Sequence, residues 1–460
     1  MQKTLKNSIV FSGAGIHTGV HTSVKMKSAK VNTGIVFVRT DVQNKPKVKA
    51  DINNLFSTSR STVLKKGDAE IHTVEHLLAA IVGAEIDNII IEIDNIEIPI
   101  LDGSAKEFTK KIIEAELIEQ EAEKKFFEIK RKISFEDEKT GTFIIAEPSE
   151  EYTVEVKIDY DSKVLKPQTA IMKSIKDFNN EFSSSRTFCF LHELESLIDN
   201  NLIKGGDLNN AIVIVEEKIN DNKLNKLKKI FNREDIEINK RGTLNNLNLR
   251  FENEPARHKL LDIIGDLSLV GRPIKGKITA FKPGHKNNTK FAKKLKEAMI
   301  EEIRKKAPII DFNQLPLYNK EKIKSILPHR EPFLFIDEIR EIGDDFIIGT
   351  KFVKKEEEYF KGHFPSEPVM PGVLQLETMA QAGGVLILST VEDPQDYLTF
   401  FMKIDNAKFK RKVVPNDTII FRLDLLSPVR RGLCHMHGKG FVDGKIVVEA
   451  DLLAQIAPKK

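Results

Sequence analysis

Residues 257–266 of the chain read RHKLLDIIGD, and the interpretation of the first 300 residues begins from this stretch. We predict a helix here, in which His258 and Asp262 stand four residues apart. Side chains at that spacing project from one face of a helix, roughly 6 Å apart. Histidine nitrogen and carboxylate oxygen are common ligands of divalent metals. The stretch therefore predicts one half of a metal site.

A second predicted helix, TVEHLLAAI at 73–81, supplies the other half. Thr73 is its predicted N-cap, and it carries His76 with Glu75 beside it. Three protein ligands from two helices leave the fourth corner of a tetrahedron to water, as in a catalytic rather than a structural zinc site. A glutamate next to a ligand can take a proton from that water, as the glutamate of an H-E-x-x-H motif does.

The H-x-x-x-D spacing alone is weak evidence, because a surface or capping role explains most isolated cases. Three further motifs accompany it: GAGIHTG at 13–19, SSRTF at 184–188 and KPGH at 282–285. Asp266 lies one helical turn beyond Asp262 and could orient His285 as an imidazolium. Each of these features alone is more often structural.

Together and in this order, the motifs closely resemble UDP-3-O-acyl-N-acetylglucosamine deacetylases, the zinc enzymes of lipid A biosynthesis. The resemblance covers about residues 1–295 and also includes EIPILDGSA and KPGHKNN. It implies two similar α+β subdomains with the active site between them, and one zinc ion per chain. The residues that it assigns are the zinc ligands His76, His258 and Asp262, the general base Glu75, the general acid or electrostatic stabiliser His285 with its partner Asp266, the oxyanion donor Thr187, and the substrate contacts Lys259, Phe188 and His17.

A second signature runs through LPHREPFL at 327–334, GHFP at 362–365 and PGVLQLETMAQ at 371–381. His363 lies on a loop whose glycine and prolines restrict the backbone. Glu377 lies near the start of an otherwise apolar helix, where burying a carboxylate is costly. A turn histidine and a satisfied buried glutamate remain the structural alternatives for the two residues taken singly.

Together these motifs resemble the (3R)-hydroxyacyl-acyl-carrier-protein dehydratases, which have the hot-dog fold, over about residues 319–456. The resemblance implies that His363 removes the α-proton, that Glu377 protonates the departing hydroxyl and that the Gly372 amide polarises the thioester, with no cofactor. It also implies a homo-oligomer through this half, a hexamer of three dimers whose sites each combine two chains. Apolar residues of the long helix would line an acyl tunnel or pack in the core: Leu374, Met379 and Leu386.

Composition narrows the function classes. The 460 residues include 72 basic and 68 acidic ones, a net charge of +4, and no Trp, which argues against a dedicated nucleic-acid surface. Two distant cysteines fit a reducing compartment, and we predict a cytoplasmic protein. The longest apolar stretch, 373–391, contains Glu377, so we predict a buried helix rather than a membrane span.

The fold class predicted is α+β: a two-subdomain sandwich followed by a hot-dog domain with one long helix against an antiparallel sheet. We expect a deacetylase domain at 1–305, with subdomains of about 1–126 and 127–305, a linker at 306–318 and a dehydratase domain at 319–460. Residues 216–241 are rich in Lys, Asn and Glu, and a solvated helical excursion is the simplest interpretation.

The sequence thus predicts a bifunctional enzyme that acts on UDP-linked acylated glucosamine and on 3-hydroxyacyl chains carried by acyl carrier protein. Three alternatives stay open. The C-terminal half is a thioesterase, since fold alone does not decide the chemistry, or it is a non-catalytic oligomerisation module. The N-terminal half deacetylates a different amidated sugar.

Overall fold

The computed structural model describes residues 1–193, 210–216 and 248–459, together with short pieces between 217 and 247. The predicted excursion at 216–241 lies mostly outside the described residues. The chain divides into two compact units, Met1–Met299 and Ile300–Lys460. Within the described part of the chain, no helix combines the length and the apolar character that crossing a membrane requires.

The first 126 residues contain two small sheets and one of five strands, whose order in space is β2 (Ile9–Ala14), β3 (His21–Ser28), β9 (Ile89–Ile93), β4 (Ile35–Arg39) and β5 (Lys47–Lys49). On β9 the residues Ile89, Ile91 and Ile93 are buried while their neighbours are half-buried, which is the alternation expected of a strand packed on one face. The elements are β1 (Gln2–Leu5), β2 (Ile9–Ala14), β3 (His21–Ser28), β4 (Ile35–Arg39), β5 (Lys47–Lys49), β6 (Leu55–Ser57), β7 (Val63–Lys66), β8 (Ala69–Ile71), α1 (Glu75–Gly83), β9 (Ile89–Ile93), α2 (Lys106–Glu114) and β10 (Leu117–Gln120).

A second sheet follows, with strand order β12-β13-β18-β14-β15, and β11 pairs with β18. Pro255 lies in the first turn of helix α3 (Glu254–Leu267), a favourable position because proline has no N–H to satisfy there. The elements are β11 (Phe127–Glu128), β12 (Ile133–Asp137), β13 (Thr142–Glu147), β14 (Tyr152–Ile158), β15 (Gln168–Met172), β16 (Phe188–Phe190), β17 (Ile212–Ile214), α3 (Glu254–Leu267), β18 (Ile274–Phe281) and α4 (His285–Lys305).

Helices α1 and α3 approach each other very closely at Gly265. A Cβ atom built on Gly265 would lie 2.1 Å from the backbone oxygen of Glu75, so only a glycine fits. This approach places the first turn of α1 beside the middle of α3. One predicted detail is wrong: Thr73 is not the N-cap of α1. Its φ is +58° and its hydroxyl donates to Glu97 Oε1 (2.8 Å) instead of to the helix.

The second unit is one antiparallel sheet with strand order β19-β20-β22-β23-β24-β21 and one long helix, α6, packed on it. The helix and the sheet meet closely at two glycines, since Cβ atoms on Gly383 and Gly438 would clash with methionine side chains. The elements are α5 (Lys320–Lys324), β19 (Glu338–Ile342), β20 (Phe346–Phe352), α6 (Gly372–Leu388), β21 (Tyr397–Phe409), β22 (Thr418–Leu425), β23 (Leu433–Val442) and β24 (Lys445–Pro458). The predicted α+β fold class is confirmed.

Part of the predicted linker packs on this second unit. The Arg340 guanidinium lies 4.9 Å from the ring centre of Phe312 and donates to the Gln314 carbonyl (2.7 Å). The Phe312 ring also lies 6.1 Å from that of Phe352. Residues 312–314 are therefore held against strands β19 and β20, which the sequence did not reveal.

Candidate active sites

The three predicted metal ligands meet where α1 and α3 approach. Their ligand atoms all lie within 4.8 Å of one another, and no other such cluster occurs in the described residues. Asp262 Oδ1 lies 3.3 Å from His258 Nε2 and 3.5 Å from His76 Nε2, and all three side chains are buried. Asp262 Oδ1 has no hydrogen-bond partner. Because an orphaned buried carboxylate oxygen is costly, this atom fits a metal ligand.

The surroundings of His258 also suit a ligand. His258 Nδ1 lies 3.0 Å from the Ser185 carbonyl, which can only accept, so Nδ1 carries the proton and Nε2 points at the cluster. Burial lowers the pKa of His258 to about 3. The imidazole is therefore neutral at pH 7, the form that binds metals.

Glu75 and His285 face the same space. His285 Nε2 lies 3.8 Å from Glu75 Oε1, and Thr62 N donates to the other oxygen of Glu75 (3.0 Å). Burial raises the pKa of Glu75, which favours a group that accepts a proton near neutral pH. A proton acceptor, Glu75, thus lies beside the imidazole of His285.

Asp266 holds the other edge of the His285 ring. Its Oδ2 lies 2.9 Å from His285 Nδ1, and Thr62 Oγ1 (2.6 Å) and Asn288 Nδ2 (2.9 Å) donate to the same carboxylate. Burial disfavours the imidazolium, but the charges of Asp266, Asp262 and Glu75 outweigh it and raise the pKa of His285 to about 10. His285 is therefore a cation at neutral pH.

The remaining residues predicted for this site are held by different kinds of contact. Lys259 Nζ donates to Asp262 Oδ2 (2.9 Å) and lies 5.4 Å from the ring centre of Phe188. Thr187 precedes Phe188, and its backbone N–H donates to the Gly103 carbonyl (2.8 Å). His17 is held by its backbone N–H, which donates to Glu97 Oε1 (3.1 Å). Lys259 touches the cluster directly, whereas Thr187 and His17 are placed by their backbones.

In the second unit, α6 carries both Gly372 and Glu377. Gln381, one turn beyond Glu377, donates to Glu377 Oε1 (3.0 Å) and accepts from Phe335 N (2.8 Å). His329 Nε2 lies 3.5 Å from the same Glu377 oxygen. The carboxylate is half-buried and held by two neighbours, so its position on the helix is well defined.

His363 lies in the loop before α6. Its Nδ1 lies 2.8 Å from the Val369 carbonyl, so Nδ1 carries the proton and Nε2 is left as the basic atom. Its ring stacks on Phe364 (4.1 Å between ring centres), and the side chain is half-buried. This is the tautomer that a general base requires.

A largely apolar cavity lies between α6 and the sheet. Glu377 and His329 line it, whereas His363 is not among its lining residues in the described chain. Of the two alternatives for the apolar residues of the long helix, core packing holds, because Met379 and Leu386 belong to the core and Leu374 packs against it. The lining comes from another side of the helix and from the strands: Ala380, Gly383, Gly384, Ile387, Leu423, Cys434, Met436, Leu452, Ala454 and Ile456.

Comparison with known proteins identifies the family of each half. The family model for UDP-3-O-acyl N-acetylglycosamine deacetylases matches residues 2–233 and 232–297, and the model for FabA-like domains matches 327–451. The chain is 45% identical to a "Bifunctional enzyme LpxC/FabZ" of Bacteroides thetaiotaomicron and 43% identical to one of Porphyromonas gingivalis, covering 100% of this chain and 99% of each relative. The chain belongs to the bifunctional LpxC/FabZ family.

A single-function relative matches only part of the chain. A UDP-3-O-acyl-N-acetylglucosamine deacetylase of Helicobacter hepaticus is 39% identical over 64% of this LpxC/FabZ chain and 89% of the relative. Both resemblances drawn from the sequence are thus confirmed. The chain is an enzyme that joins a deacetylase half to a dehydratase half.

Several residues of the LpxC/FabZ sites escaped the sequence analysis. Thr62 donates to both Glu75 and Asp266, but it lies in a loop with no motif to mark it. Glu97 holds the His17 loop from within EIPILDGSA, and Asn288 lies in KPGHKNN, so those two motifs could have indicated them. Ser185, which fixes the His258 tautomer, acts through its backbone carbonyl, so its side chain gave no clue.

Proposed function

We propose that the first half removes the N-acetyl group of a UDP-3-O-(3-hydroxyacyl)-N-acetylglucosamine with one zinc ion per chain, held by His76, His258 and Asp262. The observation that carries this proposal is the unpartnered Asp262 Oδ1 facing two imidazole nitrogens. Two histidines and one carboxylate form a donor set typical of catalytic zinc. When bound, the metal supplies Lewis acidity toward water and the amide carbonyl.

The chain's own residues supply the proton transfers. Glu75 takes the proton of the attacking water, since its raised pKa suits a base near neutral pH. The cationic His285, held by Asp266, stabilises the developing oxyanion and then protonates the departing amine, and the Thr187 hydroxyl assists as a donor to the oxyanion. Lys259, Phe188 and His17 bind the nucleotide sugar, and the Lys259 ammonium, 5.4 Å from the ring centre of the half-buried Phe188, supports this role.

We propose that the second half dehydrates 3-hydroxyacyl chains on acyl carrier protein without a cofactor. His363 Nε2 removes the α-proton, Glu377 protonates the departing 3-hydroxyl, and the Gly372 amide polarises the thioester carbonyl. The support is the tautomer of His363 and the carboxylate of Glu377 at the wall of an apolar cavity. Residues 1–305 and 319–460 are the proposed domains, joined by 306–318.

The dehydratase half is the proposed site of homo-oligomer assembly, into a hexamer of three dimers. Strand β21 lies at the edge of the sheet, is thirteen residues long and exposes several large apolar side chains. Such an edge is a template for pairing with another chain. These side chains are Phe400, Phe401, Met402, Ile404 and Phe409. We propose that each dehydratase site combines His363 of one chain with Glu377 of another.

Assays of the purified chain test these functions. Release of acetate from the UDP-linked substrate supports the deacetylase proposal. If no acetate is released from it but another amidated sugar is deacetylated, the first half acts on that other sugar. Formation of trans-2-enoyl product from 3-hydroxyacyl carrier protein separates a dehydratase from a thioesterase, which would release free acid. A chain that makes neither product in the second assay carries an oligomerisation module.

The free cysteines, Cys189 and Cys434, support a cytoplasmic location.

A further inference from the structure

The dehydratase half contains a buried lysine that the proposed mechanism does not use. Lys351 lies on β20, which pairs with β19 and β22 inside the sheet, and its side chain is only 3% exposed. Lysine is almost never buried to this degree unless it is paired. The side chains that pair with Lys351 therefore indicate the role of its buried charge.

Lys351 Nζ contacts two carboxylates. It donates to Glu357 Oε1 and lies 3.6 Å from Asp337 Oδ2. Asp337 has other donors, Phe352 N at 2.8 Å and Lys320 Nζ at 3.3 Å. Within the described chain, Lys351 is the one cation that pairs with Glu357. Removing Lys351 would therefore free Glu357 more than Asp337.

Glu357 starts the segment that leads to His363. Its carbonyl accepts from Phe360 N (3.1 Å) in the 3-10 helix Glu358–Lys361. The carbonyl of Tyr359, inside that helix, then accepts from His363 N (3.0 Å). Lys351, Glu357, the short helix and His363 thus form a continuous set of contacts from the sheet to the proposed base.

We propose that Lys351 is a positioning residue of the dehydratase: by pairing with Glu357 it fixes the segment 357–363 and so sets where the His363 imidazole stands. The proposal rests on the proposed role of His363. Proton abstraction depends steeply on the placement of the base, whereas binding of the acyl chain depends on the cavity, whose lining includes neither Lys351 nor Glu357. The pair should therefore affect kcat more than KM.

Three variants of the full chain test this, with a matched control. Lys351→Met removes the charge at similar length, Glu357→Gln keeps the shape of the partner, and Lys351→Arg keeps the cation. Lys361→Met is the control, because Lys361 lies in the same short helix but is 78% exposed, and its ion pair with Glu358 is long (3.9 Å). The measurements are kcat and KM for a 3-hydroxyacyl thioester, hydrogen exchange of residues 358–366 by mass spectrometry, and deacetylation by the same preparation.

Lys351→Met and Glu357→Gln should lower the dehydration kcat by about 100-fold with KM within about threefold, as expected when a catalytic group is misplaced by roughly 1 Å. Exchange at 358–366 should rise in both, Lys351→Arg should recover most of kcat, and deacetylation should stay at the wild-type level. Lys361→Met should keep the wild-type kcat and exchange, because an exposed ion pair contributes little.

A wild-type kcat in folded Glu357→Gln protein would overturn the proposal, as would a lower thermal midpoint with kcat intact, which is the behaviour of a merely structural pair. If Lys351→Met does not fold, Glu357→Gln decides, and if neither folds, a structural role replaces positioning. A wild-type chain without dehydratase activity would instead refute the proposed function. Hydrogen exchange then still decides the positioning role, since unchanged exchange at 358–366 in both variants would exclude it.

Discussion

Asp262 Oδ1 lies 3.3 Å from His258 Nε2, one helical turn earlier on α3, yet accepts no hydrogen bond. Lys259 Nζ instead donates to the other oxygen of this carboxylate, Asp262 Oδ2 (2.9 Å). The arrangement leaves one oxygen of a buried carboxylate and two imidazole nitrogens facing one point. A divalent cation at that point would satisfy all three, and the predictions for the first half follow from this.

Zinc content should depend on the three ligands and not on the proposed base. His258→Ala and Asp262→Asn should each lower zinc from about one ion per chain to a small residue, because two ligands hold zinc far more weakly than three. Glu75→Gln should keep the metal and lose most deacetylation. Elemental analysis of the dialysed proteins measures this. Zinc at the wild-type level in His258→Ala protein would show that the ion is bound elsewhere.

The pH profile of deacetylation should depend on Asp266. The pKa of His285 is raised to about 10, so its imidazolium is present below that pH and is lost as the pH rises through it. Asp266→Asn removes the nearest negative charge, which lowers the pKa of His285. The alkaline limb of kcat/KM should therefore move to lower pH. Asp94→Asn, at an exposed turn, is the control, and an unmoved limb in Asp266→Asn would mean that His285 does not set it.

The close approach of α1 and α3 should be sensitive to one methyl group. Gly265→Ala places a Cβ 2.1 Å from the Glu75 carbonyl oxygen, so the helices must separate, at a cost of roughly 1–3 kcal/mol. Zinc retention and deacetylation should fall while dehydration is kept. Gly284→Ala, where the added Cβ meets nothing within 4 Å, is the matched control. Native-state hydrogen exchange in α1 and α3 reports the loss of stability, and wild-type exchange in both helices would contradict it.

Two inactive variants should complement each other if the dehydratase site is shared. Unfolding and refolding an equal mixture of His363→Ala and Glu377→Ala chains makes half of the dimers mixed. Each mixed dimer then has one intact site, so about a quarter of the sites should recover. Refolded mixed dimers that remain inactive would place both residues in one chain.

Local patterns were enough to predict the elements that carry the chemistry. The long helix that follows Pro371 and the helix around His258 were predicted because their residues and spacing are characteristic. The two imidazoles and Asp262 could be grouped because i, i+4 spacing fixes two of them on one face. The family resemblances supplied the roles, which spacing alone left open.

What the sequence could not predict depends on long-range contacts. Threonine is a common N-cap residue, but the Thr73 hydroxyl donates to the Glu97 carboxylate, 24 residues away in the chain. Thr62 lies 204 residues from Asp266, and no local pattern marks such a pair. The sequence left open whether Met379 lines the acyl cavity or packs in the core; it is buried against Gly438 of the sheet, because the register between helix and sheet decides which face of α6 is open.

The central claim is that one chain carries two separate active sites, and parallel assays of Glu75→Gln and His363→Ala test it most directly. Glu75→Gln should lose deacetylation and keep dehydration within a few-fold, and His363→Ala should show the reverse, because separate cores rarely couple strongly. A chelator added to the wild-type chain should reproduce the Glu75→Gln pattern. Loss of both activities in either folded variant would contradict the claim and would mean that the halves share a site.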